Sequence, residues 1–219
     1  MATVLDQEVY TEPEAARLLG VAPSTLHYWL QGGERRGTTY LPIIRPEATD
    51  RRYVTWAEFI EAGWLRAYRR NRVPMRELRL FIELLRDELQ VPYPLAHQRP
   101  LVSGKRLVLA AQQEAGLDEH WRLVDDQLML TYPGQTFIEQ VTWEGDLAAG
   151  WRPAPDPRST VIVRPDVRFG RPSVQGISTL SIYEYAEEGA SRAEIAADFG
   201  LRETDVRWAL AYENARQAS

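Results

Sequence analysis

A spacing grid that occurs twice constrains this chain more than any other feature. Ala16, Gly20, Val21, Leu26, Trp29 and Leu30 are matched, each 180 residues later, by Ala196, Gly200, Leu201, Val206, Ala209 and Leu210. The grid is what a helix-turn-helix requires. Two helices cross closely at the alanine, the glycine permits a positive φ in the turn, and the later apolar residue closes the core. Each copy is preceded by a capping box, Thr11 with Glu14 and Ser191 with Glu194, whose side chains satisfy free N–H groups at a helix start.

In the first copy the helix from Thr11 should stop at Gly20. Pro23 fits the first turn of a second helix, and Leu26, Trp29 and Leu30 give that helix one buried face. Gly32, Gly33 and Gly37 end it. The stretch 34–54 sets Gly37, Pro42 and Pro46 among Tyr40, Ile43 and Ile44, which predicts a β-hairpin or wing. Helices follow over 56–69 and 74–89. Pro92 and Pro94 mark a linker, beyond which strands are predicted at 106–110, 122–124, 127–132 and 137–143, with Asp125-Asp126 and Pro133-Gly134 as turns. A proline-rich break at 153–157 precedes a strand at 161–163. After a loop through Gly170, Pro172 and Gly176 the chain reads as helical to its end. The expected fold is α+β and mainly helical: a winged helix-turn-helix at 1–91, a small β-containing segment at 92–157 and a helix-turn-helix-like unit at 158–219.

Composition narrows the function classes. The 219 residues are 44% hydrophobic and 26% charged, which predicts a packed core rather than disorder. The absence of cysteine excludes disulfides, thiolate zinc sites and cysteine nucleophiles, and fits a reducing compartment. No basic start with an apolar run is present, and no stretch approaches the roughly 18 apolar residues of a membrane span. A cytoplasmic protein with no membrane contact is expected. The histidines at 27, 97 and 120 are isolated, and no glycine-rich phosphate loop occurs, so neither enzymatic activity, a metal nor a cofactor is expected. The formal charge of −5 averages over unlike faces. Between Ser24 and Arg79 eleven arginines stand against six acids, a local excess suited to a nucleic-acid partner.

The run Tyr10-Thr11-Glu12-Pro13-Glu14-Ala15-Ala16-Arg17-Leu18-Leu19-Gly20-Val21-Ala22-Pro23-Ser24-Thr25-Leu26-His27-Tyr28-Trp29 resembles the opening of MerR-family DNA-binding domains. Arg52-Tyr53, the helix around Phe59 to Leu65, and Val73-Pro74-Met75 continue the resemblance, over about residues 9–89. It implies a second helix in the major groove and a wing on the flanking backbone. The DNA-contacting candidates are then Ser24, Thr25, His27 and Tyr28 on the helix, with Arg35, Arg36, Arg51, Arg52 and Tyr53 on the wing. His27 stands where that family usually has arginine, and the hairpin is longer. The dimerisation coiled coil and metal-binding cysteines of the metal-sensing members are absent.

Residues 161–215 resemble the bacterial domain of unknown function 433, often found on VapB-type antitoxins. The matching pieces are Arg164-Pro165-Asp166, the run from Phe169 to Gly176, Gly189-Ala190-Ser191 opening Glu194 to Leu201, and Val206 to Tyr212. Ile177-Ser178 replaces that domain's usual threonine-arginine pair. A MerR-like reader joined to this domain resembles the larger VapB-type antitoxins. That resemblance implies two partners: double-stranded operator DNA, bound as an autorepressor, and a PIN-domain (VapC-type) ribonuclease toxin, neutralised stoichiometrically. A homodimer is expected, since helix-turn-helix proteins usually read two half-sites. The alternative is a MerR-like regulator in which Trp121, Trp143 and Trp151 bind a small apolar ligand instead of packing a core.

The second grid copy is expected to serve association rather than DNA. Glu203, Asp205 and Glu213 stand beside Arg207 and Arg216 and leave its last helix no net positive face. Val206, Trp208, Leu210 and Tyr212 spread wider than one buried stripe, which suggests contact with a second copy or the toxin.

Overall fold

Two threonines that open helices also close a small sheet. Strand β1 (Glu8–Thr11) pairs antiparallel with β4 (Tyr53–Thr55), so α1 (Glu12–Leu19) and α3 (Trp56–Arg70) start from neighbouring strands. Both starts carry capping boxes, Thr11 with Glu14 and Thr55 with Glu58. The computed structural model describes residues 3–35, 37–97, 123–124, 127–128, 137–154 and 156–218. It has an α+β, mainly helical fold with small antiparallel two-stranded sheets. The chain divides into two compact units, one of 1–138 with 143–148, the other of 139–142 with 149–219. The described part of 92–157 is therefore shared between them.

In the first unit, α1 ends on Gly20 in the left-handed region (φ 61°, ψ 45°), and Val21 N–H reaches back to Ala16 O at 3.0 Å. Helix α2 (Pro23–Gln31) follows at once and buries Leu26, Trp29 and Leu30, as the grid predicts. The hairpin is shorter than expected: β2 (Gly33–Arg35) pairs with β3 (Thr38–Tyr40), and no further pairing extends it among the described residues. The reason is tertiary. Ile43 and Ile44 are buried and both donate their N–H groups to Trp29 O, at 2.9 and 3.0 Å, which ties 43–44 to the end of α2 instead of to a strand. Gly32 seals this junction, because a Cβ there would stand 2.2 Å from Tyr40 O.

Helices α3 and α4 (Met75–Leu89) supply most of the first core, with Trp56 stacked on Phe59 at 5.3 Å and Tyr68 edge-on to Phe81 at 6.1 Å. Residues 94–96, expected in a linker, are a buried 3₁₀ turn against α3. Leu95 N donates to Glu61 Oε1 at 3.1 Å, and Leu95 O accepts from Trp64 Nε1 at 3.0 Å. Proline serves a packed turn as readily as a linker, which is why composition alone misplaces this segment.

Of the strands predicted between the prolines, β5 (Leu123–Val124) and β6 (Gln127–Leu128) pair with each other. Residues 106–110, Asp125-Asp126 and Pro133-Gly134 lie outside the described residues. The strand expected over 137–143 begins only at β7 (Val141–Glu144), which pairs with β8 (Leu147–Trp151). Residues 137–140 are helical. Phe137 sends its ring against Trp64, at 5.5 Å, into a notch that only Gly63 leaves open.

In the second unit, Trp151 and Val163 exchange backbone hydrogen bonds at 2.8 Å, and Ile162 and Ser173 do so at 2.9 Å. Strands β9 (Ser173–Val174) and β10 (Ile177–Ser178) join through Gln175 and Gly176, both at positive φ, as a two-residue hairpin turn requires. Helices α5 (Thr179–Glu187), α6 (Arg192–Phe199) and α7 (Glu203–Gln217) complete the unit around Val161, Val174, Ile182, Ile195, Val206 and Ala209.

Candidate functional site

With Leu26, Trp29 and Leu30 turned inward, α2 presents Ser24 and His27 to solvent, flanked by the half-buried Thr25 and Tyr28. On the Thr25 and Tyr28 side lies a groove of about 710 Å³. Its far wall carries Arg66, Arg69 and Arg70 from the end of α3, and Arg76 and Arg79 from the start of α4. The spacing i, i+3, i+4 along α3 and i, i+3 along α4 puts each set on one helix face. Among the described residues no carboxylate lines this groove. Burial, and then the neighbouring charge of Arg70, push the Arg66 guanidinium down to about 10. Arg69 and Arg79 are steadied by backbone carbonyls, Val73 O at 2.5 Å and Pro42 O at 2.8 Å. Tyr40 edges the groove from β3, its ring 6.2 Å from Tyr28.

The other flank of α2 differs. His27 Nδ1 lies 2.8 Å from Glu12 Oε2, and the adjoining hollow mixes Glu12 and Asp50 with Arg51 and Arg52. Arg51 and Arg52, expected on the wing, are not on the hairpin but on the approach to β4. Arg51 leans inward, with Nη2 3.6 Å from the fully buried Glu58. Arg52 and Tyr53 are exposed. Arg35 closes β2, while Arg36 lies outside the described residues. The structure thus brings Thr25 and Tyr28 together with five arginines that the sequence reading counted in its basic block without assigning to a site.

Behind Arg51 is a buried polar cluster. Arg45, fully buried, donates to both Glu58 oxygens at 2.8 and 3.1 Å and to Tyr53 O at 3.0 Å. Tyr93 donates to Glu58 Oε1 at 3.2 Å, and burial beside that carboxylate pushes its phenol up to about 12.

Among the partner-contact candidates, Val206 is corrected: it is 0% exposed in the second core and cannot meet another chain. Trp208, Leu210 and Tyr212 are half-buried against the same core. Trp151, a candidate ligand contact, is likewise a core residue, and Trp121 lies outside the described residues. Among the described residues the large apolar side chain most open to solvent is Phe169, 87% exposed. Arg168, Phe169 and Gly170 all have positive φ, and Arg168 Nε is bonded to Gly176 O at 2.9 Å. In sequence Phe169 was legible only as one letter of a longer match.

The chain is 31% identical to the uncharacterized protein Rv2308 of Mycobacterium tuberculosis (strain ATCC 25618 / H37Rv), over 97% of its own length and 92% of that protein's. It belongs to the Rv2308 family. The chain is also 26% identical to a protein of the same organism named "Putative antitoxin VapB45", over 94% and 93% of the two chains. Residues 161–212 match the family described as "Protein of unknown function (DUF433)". The fold of this Rv2308-family chain is shared with the crystal structure of Rv2018 from Mycobacterium tuberculosis, at a TM-score of 0.76 and 23% identity, over 94% of this chain and 99% of that one. No helix among the described residues is long and apolar enough to cross a membrane.

Proposed function

We propose that this chain is an antitoxin of a type II toxin-antitoxin system, which reads operator DNA through the first unit and holds a PIN-domain ribonuclease toxin. The observation that carries the DNA reading is the arginine groove beside α2. An outward helix face with hydroxyl and ring groups, beside a groove that five arginines and, among the described residues, no carboxylate line, suits a duplex whose bases are read from the groove while its phosphates are gripped alongside. Ser24, Thr25, His27 and Tyr28 are the base-edge candidates. Arg66, Arg69, Arg70, Arg76 and Arg79 join Arg52 as phosphate candidates. The toxin reading is supported by the relative named as an antitoxin and by the resemblance of 161–215 to the VapB-associated domain. A homodimer fits operators with two half-sites.

The DNA reading is tested by titrating the duplex upstream of the chain's own gene at several salt concentrations, with wild type and an Arg70→Ala/Arg76→Ala variant. Each lost phosphate contact removes about one released counterion, so the slope of log K against log salt should flatten by about two. An unchanged slope with a wild-type melting curve sinks the groove.

For the toxin, Phe169 is the proposed anchor, since an aromatic ring standing in water gains most when covered. Phe169→Ala should leave the melting temperature and DNA binding intact while weakening capture of the co-expressed toxin by more than tenfold. Capture at wild-type strength places the toxin elsewhere.

A further inference from the structure

The turn that joins α1 to α2 is built a second time between α6 and α7. Helix α6 closes on Gly200 (φ 66°, ψ 31°) as α1 closes on Gly20, and Leu201 N–H reaches Ala196 O at 2.8 Å as Val21 reaches Ala16. From Gly20 to Leu30 and from Gly200 to Leu210 exposure runs in step at most matched positions, the exceptions being Leu210, half-buried where Leu30 is buried, and Asp205, buried where Thr25 is half-buried. Ala196, Val206 and Ala209 are buried where Ala16, Leu26 and Trp29 are buried. Thr204 and Arg207 are exposed where Ser24 and His27 are exposed, and Trp208 is half-buried in the place of Tyr28.

The sequence argued against DNA at α7 because three acids offset its arginines. The structure takes two of those acids off the surface. Asp205 is 0% exposed, held by Arg202 at 2.9 and 3.0 Å and by Gln175 at 2.9 Å. Glu213 is 3% exposed and accepts from Thr179 Oγ1 and Arg216. Only Glu203 of the three remains outside. Beside α7 lies a hollow of about 610 Å³ lined by Arg158, Thr160, Arg202, Thr204, Arg207 and Trp208, in whose wall no carboxylate stands among the described residues, although Arg158 is paired with Asp156 at 2.7 Å and Arg202 with the buried Asp205 at 2.9 Å. Arg207 makes no ion pair among the described residues, and its guanidinium stands 5.7 Å from the centre of the Trp208 ring. A cationic hollow along the outward face of the second helix of such a turn complements the phosphate rail of a duplex.

From this geometry we propose that α6 and α7 form a second DNA-contacting helix-turn-helix. Arg158, Arg202 and Arg207 meet phosphates, and Thr204 and Trp208 face the groove. The proposal is independent of whether α2 reads DNA.

The test uses the full chain and a mixed-sequence DNA duplex, titrated across a salt series. Arg158→Ala/Arg207→Ala is compared with Arg70→Ala/Arg76→Ala and wild type, and thermal melts confirm folding. Both C-terminal positions are exposed, so the fold should be retained. The C-terminal double variant should flatten the salt slope by about two and weaken binding several-fold. Arg207→Lys should keep most of the affinity, because the charge stays. If only the N-terminal pair moves the slope, α2 reads DNA and the second reader is overturned. If only the C-terminal pair moves it, the second reader stands without the first. If neither does, both fail. A face made instead for an acidic protein would leave duplex binding at the wild-type level, which also overturns the proposal.

Discussion

Replacing Glu58 with alanine should cost the first unit about 3–5 kcal/mol, the expected loss when one partner of a buried ion pair is removed. Glu58 and Arg45 are both fully buried, and Arg45 Nη1 has no hydrogen-bond partner among the described residues, so the remaining guanidinium would keep only the Tyr53 carbonyl. The same side chain accepts from Thr55 N at 2.9 Å as the cap of α3, and from the Tyr93 hydroxyl. One substitution therefore removes an ion pair, a helix cap and a hydroxyl partner. Against a typical total of about 5–15 kcal/mol, that loss brings the unit close to unfolding at room temperature. Urea denaturation of Glu58→Ala, Arg45→Met and the double variant provides the check. The double variant should be more stable than Glu58→Ala, since it removes the stranded charge. Near-wild-type stability of Glu58→Ala would show that the cluster holds nothing together.

A second large effect is a fall in stability with rising pH, traced to Glu61. Its carboxyl is fully buried on α3 and is pushed up to about 8 by loss of hydration, which outweighs the attraction of Arg86 at 3.6 Å. In the unfolded chain it ionises near 4.5. Between those values the folded protein holds one proton more than the unfolded one, so stability must fall as pH rises, by about 1.4 kcal/mol per unit. Across the window the loss is on the order of 5 kcal/mol, complete above about pH 8 and absent below about pH 4.5. The lowered carboxyls of Asp156 and Asp205 act with the opposite sign at more acid pH, so the two effects separate. Glu61→Gln should flatten the decline and be more stable than wild type at pH 8. A wild-type chain with constant stability from pH 5 to 8 would refute the assignment.

Features written within a few neighbouring residues are legible in the sequence itself. The capping boxes at Thr11 and Ser191, the left-handed glycines 20 and 200 and the inward face of α2 each follow from short-range chemistry. What depends on distant packing is not. Arg45, Glu58 and Glu61 enter a charge count as surface residues, yet lie in the core, the first two paired with each other and the third beside Arg86. The end of the hairpin at Tyr40 is set by Trp29 O, which captures two N–H groups that a strand would otherwise use. The groove arginines are visible one by one, but their convergence requires α3 and α4 to fold back beside α2. The same limit explains α7, where Asp205 and Glu213 balance the charge in sequence and vanish from the surface in the fold.

The turn that carries Phe169 has a kinetic consequence. Three successive left-handed residues, two of them not glycine, are costly backbone, and the link from Arg168 to Gly176 O holds them in place. Ordering of that loop is completed when the protein folds, so little conformational freedom is left to lose when the ring is covered. A partner would therefore meet a rigid knob, and variants along this turn should differ in how long a complex lasts far more than in how fast it forms.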